Sequence, residues 1–306
     1  MRRVALFFAP LLFALFVVLP MGGTAGAATA VFPTVSGGFG TTPKISFPNV
    51  SAPKSLESKV LVSGNGTQVK KGSLLVANYV GQIWRGKVFD SSFSRNELAP
   101  FPIGVNQVIK GWDETLVGRP VGARLLLVVP PADGYGAKGN TGAGITGTDT
   151  LVFVVDIVGS YPTSVTGDLH ATDVKTNVNG ISVNGALGKP PTILISNKAP
   201  LPGKLTAAVL AKGHGNKVKA GLVVLQYVVA DWTNKVLQST WKTGTPDGEL
   251  VGNAQQPSAL DALVGVPVGS RVLLEIPKSS SGGPFALAID IVAQPTSAAT
   301  KASSTK

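Results

Sequence analysis

Gln107-Val-Ile-Lys-Gly-Trp-Asp-Glu-Thr-Leu-Val117 decides the fold, because here alone the apolar residues recur at helical spacing: Val108, Trp112 and Leu116 fall at i, i+4 and i+8. Gly118 follows, a residue able to take the left-handed conformation that closes a helix. The flanking segments read differently. Leu74-Leu-Val-Ala-Asn-Tyr-Val80, Ala123-Arg-Leu-Leu-Leu-Val-Val129 and Thr150-Leu-Val-Phe-Val-Val-Asp-Ile-Val158 are short apolar runs bounded by Gly and Pro, the pattern of strands. One short helix among such strands predicts an α+β domain, an antiparallel sheet packed on the helix.

Working outward, the pattern occurs twice. Val35-Ser-Gly-Gly-Phe-Gly-Thr-Thr-Pro-Lys-Ile45 matches Val183-Asn-Gly-Ala-Leu-Gly-Lys-Pro-Pro-Thr-Ile193 at an offset of 148 residues. The register continues: Ala77-Asn-Tyr79 faces Leu225-Gln-Tyr227, and Val121-Gly-Ala-Arg124 faces Val268-Gly-Ser-Arg271. Both copies end alike, in Phe153-Val-Val-Asp-Ile-Val158 and Leu287-Ala-Ile-Asp-Ile-Val292. A period this long means duplicated domains, since solenoid repeats run to ~20–50 residues. The expected organisation is a domain over residues 35–159 with its core at 60–158, a polar linker over 160–182, a second domain over 183–294 and a disordered tail over 295–306.

Composition removes most enzyme chemistry. The 306 residues include no cysteine, which excludes disulfides, thiol nucleophiles, zinc ribbons and iron–sulfur clusters. Two histidines, His170 and His214, leave almost nothing for a metal site or a Ser-His-Asp triad, and no cofactor is expected. His214, in a Gly-His-Gly turn, reads as a solvated residue. Only 14% of residues are charged, so Ser, Thr, Asn and Gln must supply much of the surface. The net charge of +11 falls to +9 without Arg2 and Arg3, and its lysines are scattered, with Lys70-Lys71 the longest run beyond residue 30. That is no nucleic-acid footprint; weak association with an anionic envelope surface is the better use of the charge.

Residues 1–30 read as a signal peptide: Met1-Arg2-Arg3 gives a positive start, Val4 to Leu19 is uncharged, and the small residues of Thr24 to Ala30 offer cleavage sites. The hydrophobic stretch is shorter than the ~20 residues that span a bilayer. The mature chain is therefore expected to be exported and to begin between residues 28 and 31.

Along the first copy lie Tyr79-Val-Gly81, Gly86-Lys-Val-Phe-Asp-Ser-Ser92, Arg95, Pro100-Phe-Pro-Ile-Gly104, Gln107-Val-Ile-Lys-Gly-Trp-Asp-Glu114, Val121-Gly-Ala-Arg124, Pro130-Pro131, Gly134-Tyr-Gly136 and Leu151-Val-Phe153. In this order they resemble the FKBP-type peptidyl-prolyl isomerases, the macrolide-binding immunophilins, over residues 60 to 158. The resemblance implies a twisted antiparallel sheet curled around one short helix, with an apolar pocket between them. It implies Phe89, Asp90, Trp112 and Tyr135 as catalytic residues, with Trp112 as the pocket floor. It implies Tyr79, Arg95, Phe101, Val108, Ile109, Ile145 and Phe153 as substrate-binding residues, the Ile109 N–H and Tyr135 hydroxyl holding substrate carbonyls. The implied partners are proline-containing polypeptide clients and macrolides of the rapamycin class. Ala99 and Asn140 depart from the family pattern, and both are expected at the rim.

Such a site suits its chemistry. An X–Pro bond isomerises over ~18–20 kcal/mol because amide resonance must be broken, and no covalent bond changes. A dry pocket disfavours the planar, polar amide relative to the twisted one, and fixed donors stabilise the twisted geometry. The second copy carries Leu237-Gln238 where Phe89-Asp90 stand, Leu260 opposite Trp112, and no Tyr in Lys278-Ser-Ser-Ser-Gly-Gly-Pro284. It is expected to be inactive. The competing function is a non-catalytic chaperone or envelope-binding protein that uses both modules for binding; the near-complete pocket of the first copy favours the enzyme. Gly134-Tyr-Gly-Ala-Lys-Gly139 and Gly142-Ala-Gly-Ile-Thr-Gly147 spell a dinucleotide fingerprint, but a strand rather than a helix is expected after them.

Overall fold

The computed structural model describes residues 32–279 and 282–296, so the leader expected over 1–30 and most of the expected tail lie outside the described residues. A hairpin comes first, β1 (Thr34–Ser36) and β2 (Lys44–Ser46), followed by β3 (Glu57–Val62), β4 (Leu74–Ile83) and β5 (Val88–Ser91). Helix α1 (Ser92–Arg95), β6 (Ala99–Pro102), helix α2 (Lys110–Leu116), β7 (Arg124–Val129) and β8 (Leu151–Tyr161) complete the first half. Its sheet runs β3-β7-β8-β4-β5, with β6 paired to β4, antiparallel throughout.

The long strands read as unbroken apolar runs because the sheet is covered on both faces. On one face Leu125, Leu127, Val155 and Ile157 pack with Trp112 and Leu116 of α2. On the other, Leu126, Val128, Val152 and Val154 are covered by Val35 and Ile45 of the β1–β2 hairpin, with Phe32, Phe47 and Trp84. A buried ion pair fixes that cover. Arg124 donates from Nε to Asp156 Oδ1 (2.5 Å) and from Nη2 to Asp156 Oδ2 (2.8 Å), while its remaining N–H groups reach the Gly37 and Thr41 carbonyls of the hairpin turn, each at 2.7 Å. Gly37 and Gly40 have φ of +94° and +78°, a backbone path that glycine takes without strain.

Helix α2 starts three residues later than its periodicity suggests. Asp113 accepts the Gly104 N–H (2.6 Å) and the Asn106 N–H (2.8 Å), which pins residues 104–106 as a turn and leaves Ile109 extended at ψ 146°. Gly118 follows the helix at φ +83°, as expected.

The second half contains β9 (Asn177–Val178), β10 (Ile181–Asn184), β11 (Thr192–Ile195), β12 (Thr206–Ala211), β13 (Gly221–Asp231), β14 (Val236–Ser239), α3 (Thr240–Thr243), β15 (Asp247–Val251), a 3-10 turn (Ala259–Leu263), β16 (Arg271–Ile276) and β17 (Phe285–Ala293). Its sheet runs β12-β16-β17-β13-β14 with β15 paired to β13, the same order as the first. Bulges interrupt the two ladders at Val60/Val62 and Val209/Ala211, at Val76/Ala77 and Val224/Leu225, and at Gly81/Gln82 and Val229/Ala230. Arg271 pairs with Asp290 through Nε (2.6 Å) and reaches the Gly185 and Lys189 carbonyls, each at 3.1 Å, beneath the β10–β11 hairpin.

The halves pack together. Leu74 and Val76 of β4 bury against Leu222 and Val224 of β13, and Thr245 Oγ1 donates to the Gly72 carbonyl at 3.3 Å. The polar stretch 160–182, expected as a linker, is docked on the second half: Gln226 Nε2 donates to the Thr163 and Val165 carbonyls, both at 3.3 Å, and Thr172 and Lys212 exchange backbone bonds. His214 is not merely solvated; its Nδ1 lies 2.6 Å from Asp168 Oδ2 within this contact. No helix among the described residues is long and apolar enough to cross a membrane.

Candidate functional site

Strand β4 carries Tyr79 to the centre of the first half, and its backbone is held there by a side-chain relay. The Tyr79 N–H donates to Ser92 Oγ (2.9 Å), which donates to Asn78 Oδ1 (3.0 Å). Helix α1 is capped by Ser91 and closed by Asn96 at φ +53°, and this short turn returns Arg95 toward β5. The Tyr79 hydroxyl donates to Asp90 Oδ2, Arg95 Nη1 donates to Asp90 Oδ1 at 2.5 Å, and Arg95 Nη2 reaches the Tyr79 oxygen at 3.3 Å. Burial and then the Asp90 carboxylate push the Tyr79 hydroxyl up to about 12. Burial alone would raise Asp90, but the Tyr79 hydroxyl and the Arg95 guanidinium outweigh it and hold the carboxyl below its ordinary value.

Around this triad stand four further aromatic rings, Phe89, Phe101, Trp112 and Phe153. Trp112 lies edge to face with Tyr79, Phe101 and Phe153 at centroid distances of 5.5, 4.9 and 5.4 Å. Phe89 meets Phe153 at 5.7 Å, and Tyr79 meets Phe101 at 5.6 Å. Such pairs contribute about 0.5–1.5 kcal/mol each beyond their burial. Gly81 makes room: a Cβ there would stand 2.6 Å from the Phe89 ring. The indole N–H of Trp112 is buried with no acceptor among the described residues, so packing rather than a hydrogen bond holds the floor.

The rings enclose one side of a cavity of about 480 Å³. Val108 and Ile109 line it at the start of α2, and Tyr135 overhangs it from the turn between Pro131–Asp133 and Gly136–Lys138. Lys110 Nζ donates to Asp133 Oδ1 at 2.6 Å and so ties the helix start to that turn. Tyr135 is 38% exposed, and neither its hydroxyl nor the Ile109 N–H has a partner among the described residues. The mouth thus presents two unused donors above an apolar, aromatic floor.

Tyr79, Phe89, Asp90, Phe101, Val108, Ile109, Trp112, Tyr135 and Phe153 are brought together around the cavity. Arg95 stands behind the wall, touching the cavity only through Asp90 and Tyr79. Ile145 is not among the lining residues; it packs in the core beside them, set there by paired backbone bonds with Asn140, both 2.9 Å. Asn140 caps the turn Thr141–Ala143 through its side chain, and Ala99 opens onto a separate hollow between the halves. Sequence reasoning missed Asn106, Gln107 and Lys110, which line the mouth. Their residue types carry no signal, because the turn pinned by Asp113 places them there.

Neither member of the Tyr79–Asp90 pair titrates near neutrality. Asp90 ionises below the ordinary carboxylate range, and Tyr79 loses its proton only near 12. Turnover at the site should therefore be flat between about pH 5 and pH 9. Because the folded-state Asp90 value is depressed, the ion-paired wall stabilises the protein above the unfolded carboxyl value and is lost as pH falls through the folded one. A kcat/KM profile with a neutral-range inflection would show that an ionising group takes part.

Comparison with known proteins bears on the same stretch. A family model for FKBP-type peptidyl-prolyl cis-trans isomerase matches residues 65–158. The FK506-binding protein of Streptomyces anulatus is 36% identical over 117 residues, covering 38% of this chain and 94% of that protein. Peptidyl-prolyl cis-trans isomerase FKBP9 of Mus musculus is 30% identical over 224 residues, 73% of this chain and 33% of its own. Among solved structures, FkpA from Escherichia coli shares 36% identity over 35% of this chain and 48% of that one, with a TM-score of 0.33.

Proposed function

The chain belongs to the FKBP-type peptidyl-prolyl cis-trans isomerase family, and from that premise we propose that it isomerises X–Pro bonds in exported proteins, with the activity confined to residues 35–159. The observation that carries this reading is the aromatic cavity with two unused donors at its mouth. A prolyl ring seated on Trp112 is stripped of water, and the dry surroundings raise the planar amide relative to the twisted one. The Ile109 N–H and the Tyr135 hydroxyl hold the carbonyls on either side, so the twisted geometry is bound better than the planar one. Asp90 is held by Tyr79 and Arg95 and serves as a fixed dipole in the wall; no proton moves. A macrolide of the rapamycin class fits the same apolar floor.

Residues 183–294 are a duplicate that has lost this chemistry. The shared strand order, the three matching bulges and the repeated arginine–aspartate pair support the duplication. At the places of Phe101, Trp112 and Phe153, as the register gives them, stand Glu249, Leu260 and Leu287. Leu237, at the Phe89 place, is exposed. The leader read in residues 1–30 supports export of the mature chain, and its positive charge supports weak contact with an anionic envelope.

Tyr135→Phe tests the mechanism. It removes one donor and keeps the ring, and it should lower kcat/KM for a proline tetrapeptide about tenfold, the equivalent of ~1.4 kcal/mol. The measurement is the isomerisation rate with melting checked first. An undiminished rate would remove the hydroxyl from the mechanism.

A further inference from the structure

A second hollow begins where the first one ends. It has a volume of about 440 Å³ and lies between the halves, with Pro102, Val105 and Gln107 on one wall and Gln238, Thr243 and Asp247 on the other. Gln107 lines both this cleft and the aromatic cavity, so the two adjoin across one side chain. The far wall is held in place by the Thr245–Gly72 hydrogen bond and by the Leu74, Val76, Leu222 and Val224 cluster.

The cleft mixes apolar and polar side chains and carries one uncompensated charge. Asp247 accepts the Tyr227 hydroxyl (2.9 Å) and the Gly248 N–H (2.9 Å), but no Lys or Arg pairs with it among the described residues. Gln238 donates to the same Tyr227 oxygen at 2.7 Å. In the first half the corresponding tyrosine shares its carboxylate with Arg95; here that cation is absent and the neighbouring side chain is Glu249. A carboxylate facing a cleft without a counter-charge favours a cationic guest.

We propose that the cleft is a subsite for the polypeptide client itself. A segment flanking the proline leaves the aromatic cavity past Gln107, lies in the cleft and places a Lys or Arg side chain against Asp247. The second half then contributes recognition rather than catalysis. This inference rests on the isomerase reading of the first half, and the experiment separates the two.

The full chain is assayed by exchange NMR on a proline tetrapeptide and on longer peptides with the same centre. In one series a single Lys is moved stepwise along either flank; in a second, Gln replaces it. Lys at one register should raise kcat/KM about fivefold over Gln, through KM, on the scale of one partly exposed charge pair. Asp247→Asn should erase that advantage while the tetrapeptide rate stays unchanged. Thr243→Lys, which sets a repelling cation in the cleft, should do the same, and it decides the matter if Asp247→Asn proves unstable. A Lys series as flat as the Gln series, or an advantage that survives both variants, overturns the subsite and leaves the isomerase intact. No turnover of the tetrapeptide by the unaltered chain overturns the isomerase reading, and the subsite falls with it.

Discussion

Arg124→Leu should destabilise the protein by about 3–5 kcal/mol, because it strands a buried carboxylate. Asp156 is 1% exposed and Arg124 is fully buried. Without the guanidinium, Asp156 keeps only the Gly40 N–H at 2.7 Å, and the Gly37 and Thr41 carbonyls lose their donor. Each unsatisfied group adds about 1–3 kcal/mol unless water reaches it. The hairpin that covers Leu126, Val128, Val152 and Val154 loses its anchor as well. Equilibrium denaturation of the full chain measures the effect. Arg124→Leu with Asp156→Leu removes both charges together, and replacing a buried pair by apolar groups is often neutral. The double variant should therefore recover most of the loss. If it is as unstable as the single one, the pair acts through the hairpin carbonyls rather than through the charge left unpaired.

That pair also shows how much of the fold was legible. The strands were readable because both faces of each sheet are covered, which turns alternation into apolar runs. Arg124 and Asp156 are charges set inside two such runs, and Arg271 and Asp290 repeat them. This is the signal from which the second layer could have been found, since a charge in a buried run needs a partner and a cover. The 35–45 and 183–193 match was visible, but its role as that cover was not. Helix α2 starts late because of Asp113, a polar contact that hydrophobic spacing does not encode. The docking of 160–182 was hidden for a similar reason: its bonds run from backbone carbonyls to Gln226 and from Asp168 to His214, in a segment whose composition suits a free linker.

The site was legible where family motifs fall on strands, and Val108, Ile109 and Tyr135 were also placed correctly; Ile145 and Arg95 depend on local geometry that a motif does not encode. Phe89, Asp90, Phe101, Trp112 and Phe153 reach the cavity from regular elements. Ile145 sits in a loop one turn removed, and the Asn140 bridge turns it into the core. Arg95 lies behind the wall because α1 is a single turn, so its last residue folds back on β5 from outside the cavity.

Trp112→Leu should give the largest functional effect. The indole is 3% exposed and touches three other rings. Leucine leaves a void and forfeits all three ring pairs, so about 2–4 kcal/mol of stability goes with it. Leu260, at the corresponding place in the second half, argues on sequence grounds that leucine is tolerated, but its setting differs. It lies in a 3-10 turn closed by a Ser258–Asp261 capping box, and the register sets Glu249 and Leu287 where the first half has Phe101 and Phe153. A leucine suited to that packing does not fill a floor built for an indole. With the floor lowered, the prolyl ring sits loosely under Ile109 and Tyr135, and a misplacement of ~1 Å at a reacting centre costs on the order of a hundredfold in rate. Rapamycin affinity should fall in parallel, because the macrolide rests on the same ring. Trp112→Phe keeps aromatic edges against Tyr79 and Phe153 and should land between the two. The assay is tetrapeptide kcat/KM and rapamycin affinity at a temperature where each variant is fully folded. Full activity with full affinity in Trp112→Leu would place the prolyl site away from this cavity.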